Sequence, residues 1–240
     1  MSNKKSRYFT KGDYHGNFAG LKQFCNTAQT TIDDILIILG DAGVNYDAGA
    51  GDLGLKRSLT KYPITFGFVA GNHEMRPWEV PGYKLIDSPF GEGRVWFDEK
   101  FPNQYFFDDG IHTLGNKSAL IIGGAYSVDK NYRLMSGNKW FESEQISDEM
   151  KAKFLQETAG KHYDYILAHT CPTNYIPRDM FLSMINQNEV DRSTEDFLQK
   201  IIDQTTFDKF FCGHWHTDRI VDKIRFVFHD YLEVGNDYEE

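Results

Sequence analysis

The chain has 240 residues, enough for one α/β domain without demanding a second. Hydrophobic residues make up 40% and charged residues 25%, which excludes a disordered tail or a collagen-like chain. Twenty-six basic against 35 acidic side chains give a net charge of −9, which repels a phosphate backbone and argues against a nucleic-acid partner.

Short apolar runs bounded by Gly, Asp or Asn read as buried strands at 35–39, 64–69, 119–122, 165–168 and 209–212, with a weaker first strand at 7–10. All are far too short to cross a bilayer. Helical patterns lie between them. Residues 17–27 place Phe18, Leu21, Phe24 and Cys25 on one face. Residues 147–158 start at Ser147, a candidate N-cap, and residues 193–202 carry Phe197, Leu198, Ile201 and Ile202. Strands alternating with helices imply an α/β fold with a central sheet and outer helices. We expect a single domain over residues 1–240. An aromatic-rich excursion at about 77–110 reads as antiparallel structure packed over the domain edge, with a substrate-facing wall as the other reading. Residues 219–229 read as two short strands and a turn.

Cys25, Cys171 and Cys212 are odd in number, widely spaced and without a CxxC pair, so no disulfide framework is expected. The first residues show no apolar core of a secretory signal, and a cytoplasmic location is the expectation.

Function is concentrated just after the strands. In order, the chain reads Gly12-Asp13-Tyr14-His15-Gly16, Gly40-Asp41, Gly71-Asn72-His73-Glu74, His169, and Gly213-His214-Trp215-His216. In an open α/β sheet the carboxyl ends of the strands form the ligand crevice, so these five loops converge. Asp and Asn oxygens with His nitrogens suit Mn, Fe, Zn, Co or Ni, and no cysteine is involved. Glycines ahead of the ligand residues let the chain turn sharply and approach the ions. Five of the eight histidines fall in these loops; His112, His162 and His229 read as ordinary surface or core residues.

This ordered set, running from residue 12 to residue 216, resembles the calcineurin-like metallophosphoesterases. The resemblance implies a four-layer αββα sandwich of two mixed sheets flanked by helices. It implies two divalent metal ions, manganese first among them, acting on a phosphate-ester substrate. Asp13, His15 and His216 would hold one ion; Asn72, His169 and His214 the other; Asp41 would bridge both. His73 would sit beside the substrate phosphate. Val44 and Ala70 stand where the protein Ser/Thr phosphatases and purple acid phosphatases carry their signature residues, so the chain looks like a bacterial or phage-type member instead. The stretch from Gly123 to Lys130 with Arg133, Trp140 and Glu142 is similar to one branch of such enzymes.

Two ions ~3.5–4 Å apart clamp an in-line displacement at phosphorus, with a bridging hydroxide as nucleophile. Two divalent ions, two aspartates and the hydroxide sum to +1, so the centre attracts anions inside an acidic chain. His73 is the expected general acid, with Glu74 as a possible orienting partner. Arg76 and Arg133 are the expected phosphate-binding arginines, because a planar guanidinium matches a phosphate edge. Trp78, Tyr126, Trp140 and Trp215 are candidates to stack on a substrate base. Monoesterase and diesterase activities both fit; a nuclease would need a basic track beside the metals, and a dead scaffold should have lost ligands.

Overall fold

The computed structural model describes residues 6–235. Thirteen strands form two mixed sheets among the described residues. The first sheet takes β1 (Tyr8–Lys11), β2 (Ile35–Leu39), β3 (Thr65–Val69), β4 (Lys84–Asp87), β5 (Arg94–Phe97), β6 (Gln104–Phe107) and β13 (Leu232–Glu233). Its order is β13-β1-β2-β3-β6-β5-β4. The second takes β7 (Gly110–Leu114), β8 (Lys117–Ile122), β9 (His162–Ala168), β10 (Thr206–Cys212), β11 (Arg219–Val221) and β12 (Ile224–Phe226), ordered β11-β12-β10-β9-β8-β7. The helices are α1 (Leu21–Ala28), α2 (Ala50–Leu59), α3 (Lys130–Ser136), α4 (Asp148–Thr158) and α5 (Ser193–Gln204).

The central strands are apolar on both faces because both faces are covered. In β2, Ile35, Ile37 and Leu39 join Val69, Ala119, Ile121, Leu167 and Phe211 in a core between the sheets. Leu36 and Ile38 point the other way, onto Leu21, Cys25 and Leu59 of α1 and α2. The second sheet repeats the pattern: Leu120, Ile122, Ile166 and Phe210 pack outward against Phe154 of α4 and Phe197, Leu198 and Ile201 of α5. Helices, sheet, sheet and helices therefore stack as four layers, as the resemblance implied.

The predicted strands all form, within three residues at either end. Ser147 caps α4, its hydroxyl accepting the Met150 amide hydrogen bond at 3.3 Å. Residues 219–229 hold the antiparallel pair β11–β12. The aromatic excursion does more than pack over an edge. Its strand β6 pairs in parallel with β3, Phe68 opposite Phe106, and so β6, β5 and β4 extend the first sheet.

Strands β1, β2 and β3 run parallel in one sheet, and β9 and β10 run parallel in the other. Their carboxyl ends deliver all five polar loops.

Candidate metal centre

The loops after the strands are tightly folded on one another. The amides of Tyr14 and His15 donate to the Asp41 carbonyl at 3.1 and 2.8 Å, joining the first two loops. The Gly213 amide donates to the His169 carbonyl at 2.9 Å, joining the last two. His15, Asp41, His214 and His216 all have positive φ, between 46° and 64°. Left-handed backbone in non-glycine residues costs energy and concentrates where function over-determines it. Two glycines show why the loops cannot be relaxed by ordinary residues. At Gly40, with φ +94°, a Cβ would lie 2.0 Å from His169 Nδ1; at Gly71 it would lie 2.0 Å from Asp41 Oδ1.

Two clusters of acceptors result. In the first, His216 Nε2 lies 3.2 Å from Asp13 Oδ2 and 3.1 Å from His15 Nε2, with His15 Nε2 3.7 Å from the same carboxylate oxygen. In the second, His169 Nε2 faces Asn72 Oδ1 at 2.7 Å and Asp41 Oδ2 at 3.7 Å. The His169 ring is oriented by its Nδ1, which donates to the Leu39 carbonyl at 2.7 Å, so the proton sits there and Nε2 carries a lone pair. Asn72 is oriented the same way, its Nδ2 donating to Ser127 Oγ at 2.9 Å. Three lone-pair atoms from His169, Asn72 and Asp41 thus point at one place with no donor between them. Asp13 reaches both clusters, since Asp13, Asp41 and His169 also offer ligand atoms close enough to share an ion. His214 lies beside them, its ring 5.0 Å from that of His169 and its amide donating to Asp13 Oδ1 at 2.8 Å.

Convergent acceptors around buried carboxylates fit a divalent cation, which supplies the charge that the chain withholds. The electrostatics agree. Burial opposes ionisation of Asp13, but its hydrogen bond with His216 and the nearby imidazoles hold its carboxyl below the usual range. Burial pushes His214 well below the ordinary imidazole value, leaving it neutral as a metal ligand must be. His216 is raised, chiefly by its bond to Asp13.

The backbone amide of His73 donates to Asp41 Oδ1 at 2.8 Å, which fixes the residue at the edge of the cluster. Its Nε2 lies 3.5 Å from Arg133 Nη2. Arg133 is pinned by Asp129, Nε to Oδ2 at 2.8 Å, and lies on the short helix α3.

The Arg76 expectation is corrected by geometry. Arg76 is buried, its Nε donating to the Ser143 carbonyl at 2.9 Å and its Nη2 to the Glu144 carbonyl at 3.3 Å, so its guanidinium faces away from the acceptor clusters. Glu74 likewise turns from His73 and accepts the Gly71 amide at 3.0 Å; burial raises its carboxyl to about 7. Tyr14 is a core residue, stacked on Phe18 and bonded to the Tyr231 hydroxyl. Of the candidate stacking rings, Tyr126 and Trp215 line the site's cavity. Trp78 packs near Trp96, and Trp140 lies under the Lys130 ammonium. His112, His162 and His229 are occupied elsewhere, with Asp108, Thr206 and Asp218 respectively.

Ser127 was missed in the sequence. Its amide donates to Glu144 Oε1 at 3.2 Å, and Arg76 holds the Glu144 backbone. Arg76, Glu144 and Ser127 therefore form a chain that ends on the Asn72 amide. Only its place after a strand, in Gly-Gly-Ala-Tyr-Ser, could have signalled it. Ser127→Ala is expected to weaken binding of one metal ion about 10- to 100-fold, read by competition with a chelating dye, with the fold unchanged by circular dichroism.

Residues 12–218 match the calcineurin-like phosphoesterase family. The chain belongs to that family. Membership implies divalent metal ions and metal-dependent hydrolysis of phosphate esters. No curated protein matches the chain. Among solved structures, it is similar to phosphopantetheinyl hydrolase from Mycobacterium tuberculosis, with 12% identity, TM-score 0.47 and 98% of each chain covered. It is also similar to a protein of unknown function from Aquifex aeolicus, with 14% identity and TM-score 0.27, covering 69% of this chain and 80% of that one. No helix among the described residues is long and apolar enough to cross a membrane.

Cys171 and Cys212, both next to the loops that carry His169, His214 and His216, are buried and free in the core under α4 and α5. Changing either to Ala is expected to keep turnover within about tenfold and to leave metal content intact. Loss of metal in either variant would show that a thiolate belongs to the centre.

Proposed function

We propose that the protein is a two-metal phosphoesterase. Asp13, His15 and His216 would hold one divalent ion, Asn72, His169 and His214 the other, and Asp41 would serve both. The observation that carries this reading is the pair of adjacent groups, Asp13 with His15 and His216, and Asp13 with Asp41 and His169, whose ligand atoms converge around buried aspartates. Ions held there would supply positive charge for the phosphoryl oxygens and lower the pKa of bound water.

The chain's own groups do the rest. Asp41 Oδ1 holds the His73 backbone through its amide, so the ring stays beside the reacting phosphate. The ring then delivers a proton to the leaving oxygen. Its Nε2 has the Arg133 and Asn72 nitrogens as neighbours, at 3.5 and 3.3 Å, so it accepts at rest and acts as an acid only as the imidazolium. Arg133 lends its Nη2 to a phosphate oxygen while Asp129 keeps the guanidinium in place. On that side a cavity of about 500 Å3, lined by Tyr46, Tyr132, Arg133 and Asn138 among others, opens to solvent. The three cysteines are free and buried, which supports a reducing, cytoplasmic setting.

The test is release of p-nitrophenol from mono- and bis-p-nitrophenyl phosphate by metal-stripped protein re-supplied with manganese. Metal-dependent release from either ester supports the reading. No release with Mn, Fe, Zn, Co or Ni would remove it, and the ratio of the two rates assigns monoester or diester preference.

A further inference from the structure

A second cavity, of about 370 Å3, opens from the same ligand cluster in the opposite chemical sense. It is bounded by the segment between β9 and α5, residues 169–192, which has no helix longer than a single turn. That segment contributes Ile176, Met180, Phe181, Leu182, Ile185 and Val190 to the wall. Trp215, from the loop that also carries His214 and His216, contributes the facing ring. The Phe181 and Trp215 rings lie 6.2 Å apart at 34°. Leu182 is 56% exposed and Met180 37%, an apolar surface that a soluble chain ordinarily covers.

Trp215 is not free to swing. Its Nε1 donates to Thr170 Oγ1 at 3.1 Å, and that hydroxyl donates to Glu195 Oε1 at 2.9 Å. Glu195 lines the cavity, is only 4% exposed, and has no hydrogen-bond partner at Oε2. A buried polar atom left unpaired costs free energy, which a ligand group can recover. Burial raises the Glu195 carboxyl to about 7, so near neutrality it can accept or donate. Outside the ligand cluster, the cavity's other charged groups are engaged: Asp129 Oδ2 accepts from Arg133 Nε at 2.8 Å, Arg192 Nη2 lies 3.2 Å from Gln187 Oε1, and the Arg192 guanidinium sits 5.8 Å from the Phe181 ring. Arg192 thus ties the segment in place.

Resting on the phosphoesterase reading, we propose that this cavity receives the alcohol part of the substrate, and that this part is an aromatic group bearing one hydroxyl or amide. The aromatic body lies against Phe181 and Trp215, and its polar group hydrogen-bonds Glu195. Flat apolar walls with one polar anchor are how such sites fix orientation. Phe181, Trp215 and Glu195 are then the specificity determinants, distinct from the residues that hold the ions.

The test is isothermal titration of the manganese-loaded protein with methylphosphonate, 1-naphthylphosphonate and 5-hydroxy-1-naphthylphosphonate. The naphthyl compound is expected to bind at least about tenfold more tightly than the methyl one, and the hydroxynaphthyl compound more tightly still. Phe181→Ala, whose side chain is half-buried and far from the ion-holding groups in sequence, should reduce the naphthyl-to-methyl ratio at least about fivefold. Glu195→Gln should reduce the gain from the added hydroxyl. Equal binding of naphthyl- and methylphosphonate, or a ratio unchanged in Phe181→Ala, overturns the proposal. A parallel assay on the matching phosphate esters separates the two readings. Aryl-selective binding without hydrolysis of any ester would sink the phosphoesterase reading and keep the pocket. Hydrolysis with no aryl selectivity would do the reverse.

Discussion

Asp41→Asn is expected to abolish hydrolysis and to lower the content of both metal ions. The argument starts from the two oxygens of Asp41. Oδ1 accepts the His73 amide at 2.8 Å, and Oδ2 faces His169 Nε2 at 3.7 Å. Asn keeps the size of the side chain and tolerates the left-handed backbone that this position requires, with φ of 48°. The substitution therefore removes charge with little change of shape. Without that charge, each ion loses an anionic ligand, whereas loss of a supporting partner alone already costs 10- to 100-fold in affinity. Turnover is expected to fall by roughly 10³-fold or more, since the ions supply the charge that stabilises the displacement. Asp13→Asn is the comparison. Its Oδ1 is committed to the His214 amide and its Oδ2 faces His15 and His216, so although Asp13 also lies near Asp41 and His169, the ion held with His15 and His216 should weaken far more than the other. Elemental analysis decides: two full equivalents of metal in purified Asp41→Asn would reject the bridging assignment.

The same residues explain what the sequence could and could not reveal. Strand positions were readable because residues such as Ile35–Leu39 are apolar without interruption. That same continuity hid the two sheets. A run buried on both faces has no alternation to say which neighbour lies on which side, and only the contacts of Ile37 and Ile38 separate the inner layer from the outer. Helix α2 escaped notice because its sequence, AGDLGLKRSL, carries two glycines and buries an aspartate and a lysine as well as Leu59. The excursion of residues 77–110 was recognised as antiparallel, but its parallel join to β3 is a long-range pairing that no local pattern encodes.

At the site, Asp, Asn and His behind glycine were legible because their chemistry and their strand-end position are both local facts. Arg76 was misjudged for the opposite reason. Proximity in sequence to His73 says nothing of direction, and the guanidinium is drawn inward by the Ser143 and Glu144 carbonyls, which need donors in a buried place. Ser127 could be found only from the structure, since its role is defined by the Asn72 amide that it orients across 55 residues of sequence. The apolar cavity is equally non-local, because Phe181 and Trp215 meet only through the fold.

His73→Gln is expected to retain both ions and to cut turnover by roughly 10²–10⁴-fold, the usual contribution of general acid catalysis. Gln preserves the backbone amide that Asp41 accepts, so the loop and the ligand set should stay in place. The size of the loss should depend on the leaving group. An alkoxide leaves poorly without a proton, so alkyl phosphates should suffer most. p-Nitrophenolate is stable as the anion, so its ester should suffer least. The geometry allows a rival role that predicts otherwise. His73 Nε2 sits 3.5 Å from Arg133 Nη2, and a residue that only steadied this guanidinium against phosphate would matter equally to every ester. Arg133→Lys supplies the calibration, because it keeps a cation and removes the fork, and should cost a similar factor across the whole series. A series of phosphate esters spanning leaving-group acidity therefore separates the two. A steep dependence in His73→Gln beside a flat one in Arg133→Lys assigns the proton to His73. Flat losses in both variants, with two ions still bound, would make His73 a phosphate-positioning residue and leave the metal centre as the only source of leaving-group stabilisation.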